Sequence, residues 1–209
     1  MKFFETSKYY SLNKSTYINL RWIAIIGQFI TINAVYFILN FKFPFLLTNL
    51  VIFFGIFSNL YLIYIYQKTQ LSDASAFFFL MIDILQLSFL IYLTGGTVNP
   101  FVVFLIIPSV FSSSNLSFKT SILLASITTL SIIFLTFYHL DLPSPINNHF
   151  HVSPYYIYSI PIALIIALIF LNYFAINFGA ESRLRKEALN KMEEIMAKEH
   201  ELLSLGGQS

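Results

Sequence analysis

The chain has 209 residues, of which 57% are hydrophobic and 11% charged, with a formal net charge of +2. Its mean hydropathy is strongly positive, which excludes a soluble globular domain and puts most of the chain in a membrane. It holds no cysteine, so disulfides, iron–sulfur ligation and thiol redox chemistry are excluded and any redox function must work through a ligand.

Residues 1–17 read as a cytoplasmic segment. Beyond them, apolar runs of about 20 residues recur, each enough to cross roughly 30 Å of hydrocarbon as a helix. The runs are 18–40, 43–66, 74–94, a short one from Pro100 to about Ser114, then 118–139 and 155–178. The first is too long for a signal peptide and has no small-residue cleavage site after it, so it stays as a span. The expected fold is an all-α integral membrane protein, a six-transmembrane-helix bundle over 18–178. A cytoplasmic helix or coiled coil over 179–209 follows it.

Cytoplasmic flanks of membrane spans are enriched in Lys and Arg. Six spans put Lys2, Lys8, Lys14, Arg21, Lys68, Lys119, Arg183, Arg185 and Lys186 on one side and only Lys42 opposite, which predicts cytoplasmic termini at both ends. Aromatic anchors agree, with Tyr17, Trp22, Tyr64, Tyr66 and Tyr173 toward the inner boundary and Tyr92, Tyr155 and Tyr156 toward the outer one.

In the third span, Asp83 is a carboxylate at membrane depth, where ionisable groups are costly and often functional. Gln86 follows one turn later on the same face. Two readings stand: Asp83 packs helices or subunits together with Gln28, Asn33 or Asn59, or it handles a ligand or proton directly. Asp83 precedes Gly95 by about 12 residues, roughly 18 Å along a helix, so one small ring cannot touch both.

The connection "LTGGTVNPF" over 93–101 reads as a helix stop followed at once by a helix start. Gly95 and Gly96 suit the positive φ of a helix cap, Asn99 is a favoured N-cap, and Pro100 suits a first helical position. Such a segment is either a well-capped outer turn or the rim of a cavity. In the second case the helix start offers N–H groups and the Asn99 amide as donors, and Phe101 a ring for stacking. A flat molecule with carbonyl acceptors and a greasy tail, a quinone, fits that description.

Pro108 and Pro161 are expected to bend the fourth and sixth spans. His149 and His151 in the last outer loop have no Cys or carboxylate beside them, and no metal is expected. After Phe178 the sequence turns to "GAESRLRKEALNKMEEIMAKEHELLSL", rich in strong helix formers. Leu184, Ala188, Met192, Ile195 and Leu202 fall near a heptad stripe that Glu199 interrupts. It is either a solvated helix or a parallel seam between two copies.

The heptapeptide Gly95-Gly96-Thr97-Val98-Asn99-Pro100-Phe101 matches the G-G-x-x-N-P-F motif of the RegB/PrrB-type redox-sensing histidine kinases. "LRWIAIIGQ" over 20–28 resembles that family's first span, and "DILQLSFLIYLTGGTVNPF" over 83–101 its third span and loop. The helix ending "EHELLSLGGQS" is similar to the family's approach to its phosphoacceptor region. The resemblance implies a homodimeric sensor in the bacterial inner membrane that binds ubiquinone from the quinone pool at that loop. The signal would pass through the sixth span to a kinase core beyond residue 209, which would use ATP and Mg to phosphorylate a His and then serve a cytoplasmic response regulator.

These 209 residues hold no phosphoacceptor box and no nucleotide-binding glycine motif, so no catalytic residue is expected among them. His200 lacks the following Pro and reads as a surface residue. A stand-alone quinone-binding regulator acting through a partner is the competing reading. An electron-transfer subunit lacks ligands for haem or clusters. A transporter would show several intramembrane charges, where Asp83 is the one expected. No nucleic-acid partner is expected.

Overall fold

The computed structural model describes residues 10–142 and 154–206; Lys2, Lys8, His149 and His151, and the side chain of Tyr156, lie outside what it describes. The order is β1 (Ser11–Asn13), α1 (Lys14–Phe37), α2 (Phe45–Tyr64), β2 (Gln70–Ser72) and α3 (Asp73–Tyr92). Two 3-10 segments (Gly96–Val98 and Pro100–Leu105), α4 (Ile106–Asn115), α5 (Phe118–Phe137) and α6 (Pro154–Gly206) follow. Among the described residues five helices are long and apolar enough to cross a membrane, and helix satisfies backbone groups that hydrocarbon cannot.

Local chemistry starts three of these helices. Asn13 accepts from Thr16 N–H, Ser72 from Ser75 N–H and Ser117 from Thr120 N–H, each a side-chain oxygen meeting a donor with no partner inside the helix. The cap at Asn13 brings α1 forward to Lys14, four residues ahead of the expected 18. Lys14 Nζ ties the start of α1 to the end of α2, donating to Ile63 O and, just past the helix, to Tyr66 O.

β1 and β2 form a two-stranded antiparallel ribbon, pairing Ser11 with Ser72, Leu12 with Leu71 and Asn13 with Gln70. An all-α expectation has no place for it. Each strand is three residues long, too short for a period-2 signal in the sequence. Buried Leu12 and Leu71 join the main core, so the ribbon ties the starts of α1 and α3 to one end of the bundle.

The fourth crossing is short for a reason of geometry. α3 and α5 run parallel. At their starts the Asp73 carboxylate accepts from Ser117 N–H and Oγ (both 2.9 Å) and from Thr120 Oγ1 (2.7 Å). At their ends Tyr92 O accepts from Leu140 N–H at 2.9 Å. Residues 100–115 must therefore travel the whole way back. A 3-10 helix rises about 2.0 Å per residue against about 1.5 Å for an α-helix. With 6 residues of 3-10 and 10 of α-helix, this segment reaches roughly 27 Å, close to the roughly 30 Å of its 20-residue neighbours.

The six crossings place Lys14, Lys68, Lys119 and Arg183 at the ribbon end and Lys42 at the opposite end. Arg21 departs from the expectation. It lies about two turns into α1, only 5% exposed, inside the bundle. Tyr17 departs too, being buried in the core rather than anchored at the lipid boundary, whereas Tyr64, Tyr155 and Tyr173 are exposed. α3 is the central helix, with Leu80, Ile84, Leu87, Leu90 and Ile91 buried. α6 runs for 53 residues through Pro161 and past Gly179 without a break, roughly 80 Å at the usual rise.

Candidate functional site

The loop after α3 takes the backbone shape its residues suggest. Gly95 and Gly96 have φ of 110° and 60°, a region costly for any residue with a Cβ. Their close approaches are to this chain. A Cβ on Gly95 would stand 2.5 Å from Leu142 Cδ1, and one on Gly96 would stand 2.5 Å from the His139 ring and from Leu135 O. The space opened by the two glycines is filled by residues 135–142.

Asn99 caps the 3-10 segment, its Oδ1 accepting from Phe101 N–H at 2.9 Å. Both protons of its amide are engaged, with Nδ2 donating to Thr94 O (3.0 Å) and Thr94 Oγ1 (2.7 Å). Val102 N–H donates to Asn99 O. The donors expected to face a ligand here, the Asn99 amide and the first N–H groups of the fourth span, are thus consumed in holding the loop. Pro100 and Phe101 are exposed, and Phe101 stacks on Phe104 with ring centroids 5.9 Å apart.

The loop forms one end of a cavity of about 540 Å³ between α1, α3 and residues 100–115. Thr94, Asn99, Phe101 and Phe104 border that end, while Tyr17, Arg21 and Asp83 border the other, with Gln28 and Gln86 between them. Most of the remaining wall is aliphatic: Ile25, Ile32, Leu87 and Leu90 among others. The expectation kept the loop and Asp83 apart by distance along α3. They remain apart as contacts, but one elongated cavity touches both.

Asp83 is bound by groups other than those anticipated. Tyr17 Oη donates to its Oδ2 at 2.5 Å, and Arg21 Nε donates to its Oδ1 at 2.9 Å, with Nη2 2.8 Å from the same oxygen. Arg21 Nη2 also donates to Ser58 Oγ. Gln28 instead accepts from Gln86 Nε2 at 2.9 Å, Asn33 bonds Phe29 O, and Asn59 reaches Ile18 O. Arg21 and Tyr17 were missed as site residues because each also fits the membrane boundary. The available signal was their spacing of one helical turn in α1 together with an unpaired opposite charge in α3. The reading of Asp83 as the one intramembrane charge is corrected accordingly: the bundle holds a pair.

The segment that walls the cavity has a second face toward α6. Asn172 Oδ1 accepts from Ser109 Oγ (3.2 Å) and from Ser113 Oγ. Ser114 O packs so closely on Gly179 that a Cβ there would collide with it, and it accepts from Arg183 Nη1 at 3.3 Å. Farther along α6, Leu184, Met192, Ile195 and Leu202 are all exposed in the single chain. Pairs such as Arg185 with Glu181 and Lys198 with Glu194 support the helix. Among the described residues no cluster of His, Cys, Asp and Glu could hold a metal.

The sequence model of the PilS-like transmembrane domain family matches residues 15–189. The sensor histidine kinase RegB of Cereibacter sphaeroides is 28% identical over 193 residues, an alignment covering 92% of this chain and 42% of that relative. The chain therefore spans less than half of the curated relative it matches. No solved structure matches.

Proposed function

Since the chain belongs to the PilS-like transmembrane domain family, we propose that it is the membrane sensor region of a two-component histidine kinase and that it reads the redox state of ubiquinone. The kinase core, its ATP and Mg, the phosphoacceptor His and the cognate response regulator belong to the remainder of such a protein. Both termini are cytoplasmic, the membrane is the bacterial inner membrane, and two copies join along α6.

The observation that carries this reading is the cavity of about 540 Å³ that Asn99 and Phe101 of the loop Gly95-Gly96-Thr97-Val98-Asn99-Pro100-Phe101 border, Gly95, Gly96 and Pro100 not lining it themselves. Ligand sites of this kind are concave, mostly apolar, and carry a few placed polar groups. The loop's contribution is shape. Gly95, Gly96 and Asn99 fix a rigid rim, and Pro100 starts the segment that presents the stacked rings of Phe101 and Phe104 to an isoprenoid tail or quinone ring.

Transmission follows from the two-faced segment 100–115. Phe104, Ile107 and Phe111 wall the cavity, while Ser109 and Ser113 hold Asn172 of α6. A ligand that displaces the first face moves the second, and packed helices switch between discrete arrangements rather than deforming smoothly. A tenfold preference of quinone for one arrangement supplies about 1.4 kcal/mol, enough to bias a balanced equilibrium, whereas full switching needs about 5.5 kcal/mol.

The test is equilibrium binding of decylubiquinone to the chain in lipid nanodiscs. The double variant Asn99→Ala with Phe101→Ala is expected to lose at least tenfold in affinity, because it frees the loop and removes the stacking wall. Wild-type affinity in that variant would sink the site.

A further inference from the structure

Among the described residues three buried side-chain atoms have no hydrogen-bond partner: Arg21 Nη1, Asn59 Oδ1 and Thr97 Oγ1. Of these three residues only Arg21 lines the cavity. Its Nε is taken by Asp83 and its Nη2 by Asp83 and Ser58. Nη1 is therefore a buried cationic donor without a protein acceptor, on a side chain that lines the cavity and is only 5% exposed. Buried donors in native proteins are nearly always satisfied, and leaving a charged one unmade is costly.

We propose that Arg21 Nη1 is the donor that receives a carbonyl oxygen of the bound quinone. The head group then lies at the Tyr17, Arg21 and Asp83 end, and the tail runs along α3 toward Phe101. The inference rests on the quinone reading above and reverses the orientation that the loop motif suggests by itself.

The chemistry of the acceptor follows from its neighbours. Asp83 already neutralises Arg21 at 2.8 Å, so the site gains nothing from an anion, which would also be repelled by the carboxylate. A neutral oxygen with free lone pairs fits. A quinone carbonyl only accepts, so it meets Nη1 without further demand. A quinol hydroxyl must also place its own proton, and Tyr17 already donates to Asp83 Oδ2. The oxidised form is thus received with the existing hydrogen bonds intact. From Asp83 to Thr94 the cavity follows α3 for roughly 16 Å, and Leu87, Leu90 and Ile91 make its wall apolar for the tail.

The experiment uses the full chain in nanodiscs with decylubiquinone labelled with ¹³C at its carbonyls, reading affinity and the carbonyl stretch by infrared difference spectroscopy. In the wild type the carbonyl band of bound quinone should be shifted down from its free value. Arg21→Lys keeps the charge opposite Asp83 but offers no second nitrogen. It should bind at least tenfold more weakly, with the band moved back toward the free value. Arg21→Leu combined with Asp83→Leu removes both charges together, leaving neither unpaired, and should behave alike if the lysine variant is poorly folded. Wild-type affinity and an unshifted spectrum in a variant that melts and elutes like wild type would overturn the proposal. Loss of binding in Phe101→Ala with retention in both Arg21 variants would keep the quinone reading and return the head group to the loop. An absence of quinone binding by the wild type would overturn both.

Discussion

Gly96 is the residue at which the loop tolerates least. Its φ of 60° and the 2.5 Å approach of Leu135 O and His139 to a notional Cβ mean that alanine meets backbone strain and a collision together. Gly96→Ala should destabilise the bundle by about 1–3 kcal/mol, read as a lower melting temperature in nanodiscs. A variant melting with the wild type would show that residues 135–142 can move away. Asn99 works beside it by hydrogen bonding: one carboxamide caps Phe101 N–H and ties back to Thr94 at two points. The Asn-Pro pair was legible as a helix start because capping is a local matter of two or three residues. That its amide protons turn back to Thr94, and not into the cavity, depends on how the preceding glycines fold the chain.

At the scale of elements, the segment from Pro100 to Asn115 does two things that its composition hints at only as shortness. Its 3-10 part, 6 of 16 residues, extends the segment into a full crossing, and its two faces join the cavity to α6. Asn172 is the polar link in that joint, buried and accepting from two serines of α4. Asn172→Leu should leave quinone affinity within about twofold while orphaning Ser109 and Ser113, a loss of roughly 1–3 kcal/mol in a buried setting. The quinone-dependent change in spin-label distances across α6 should shrink. If that change kept its full amplitude, transmission would run through some other contact, Gly179 against Ser114 being the next to test.

At the scale of the molecule, the single chain leaves an unsatisfied surface along the extramembrane part of α6. Leu184, Met192 and Ile195 are each 59–67% exposed on a helix whose remaining faces carry ion pairs. Exposed apolar side chains at heptad-like spacing favour a second helix. Met192→Glu with Ile195→Glu should shift the protein from dimer to monomer, measured by cross-linking and by mass in nanodiscs, with quinone binding retained. A dimer that survives both charges would place the interface among the membrane helices instead.

Legible in the sequence alone were the membrane setting, the bundle of apolar crossing helices and the capped loop with its two glycines. All of these are one-dimensional properties, the length of an apolar run, a cap within three residues, a backbone sign. It also carried the likeness of residues 83–101 to a known sensor motif. The tertiary structure decided what the sequence could not order: the ribbon pairing Leu12 with Leu71, and the Tyr17, Arg21 and Asp83 cluster joining residues more than 60 positions apart. It also decided the cavity that makes neighbours of the loop and that cluster. Arg21 illustrates the physical reason. As a letter it is a basic residue near the start of a span, equally suited to a membrane boundary or to a buried pair. Only the packing of α1 against its neighbours brings an acid within 2.8 Å and leaves one guanidinium nitrogen facing no acceptor of its own chain.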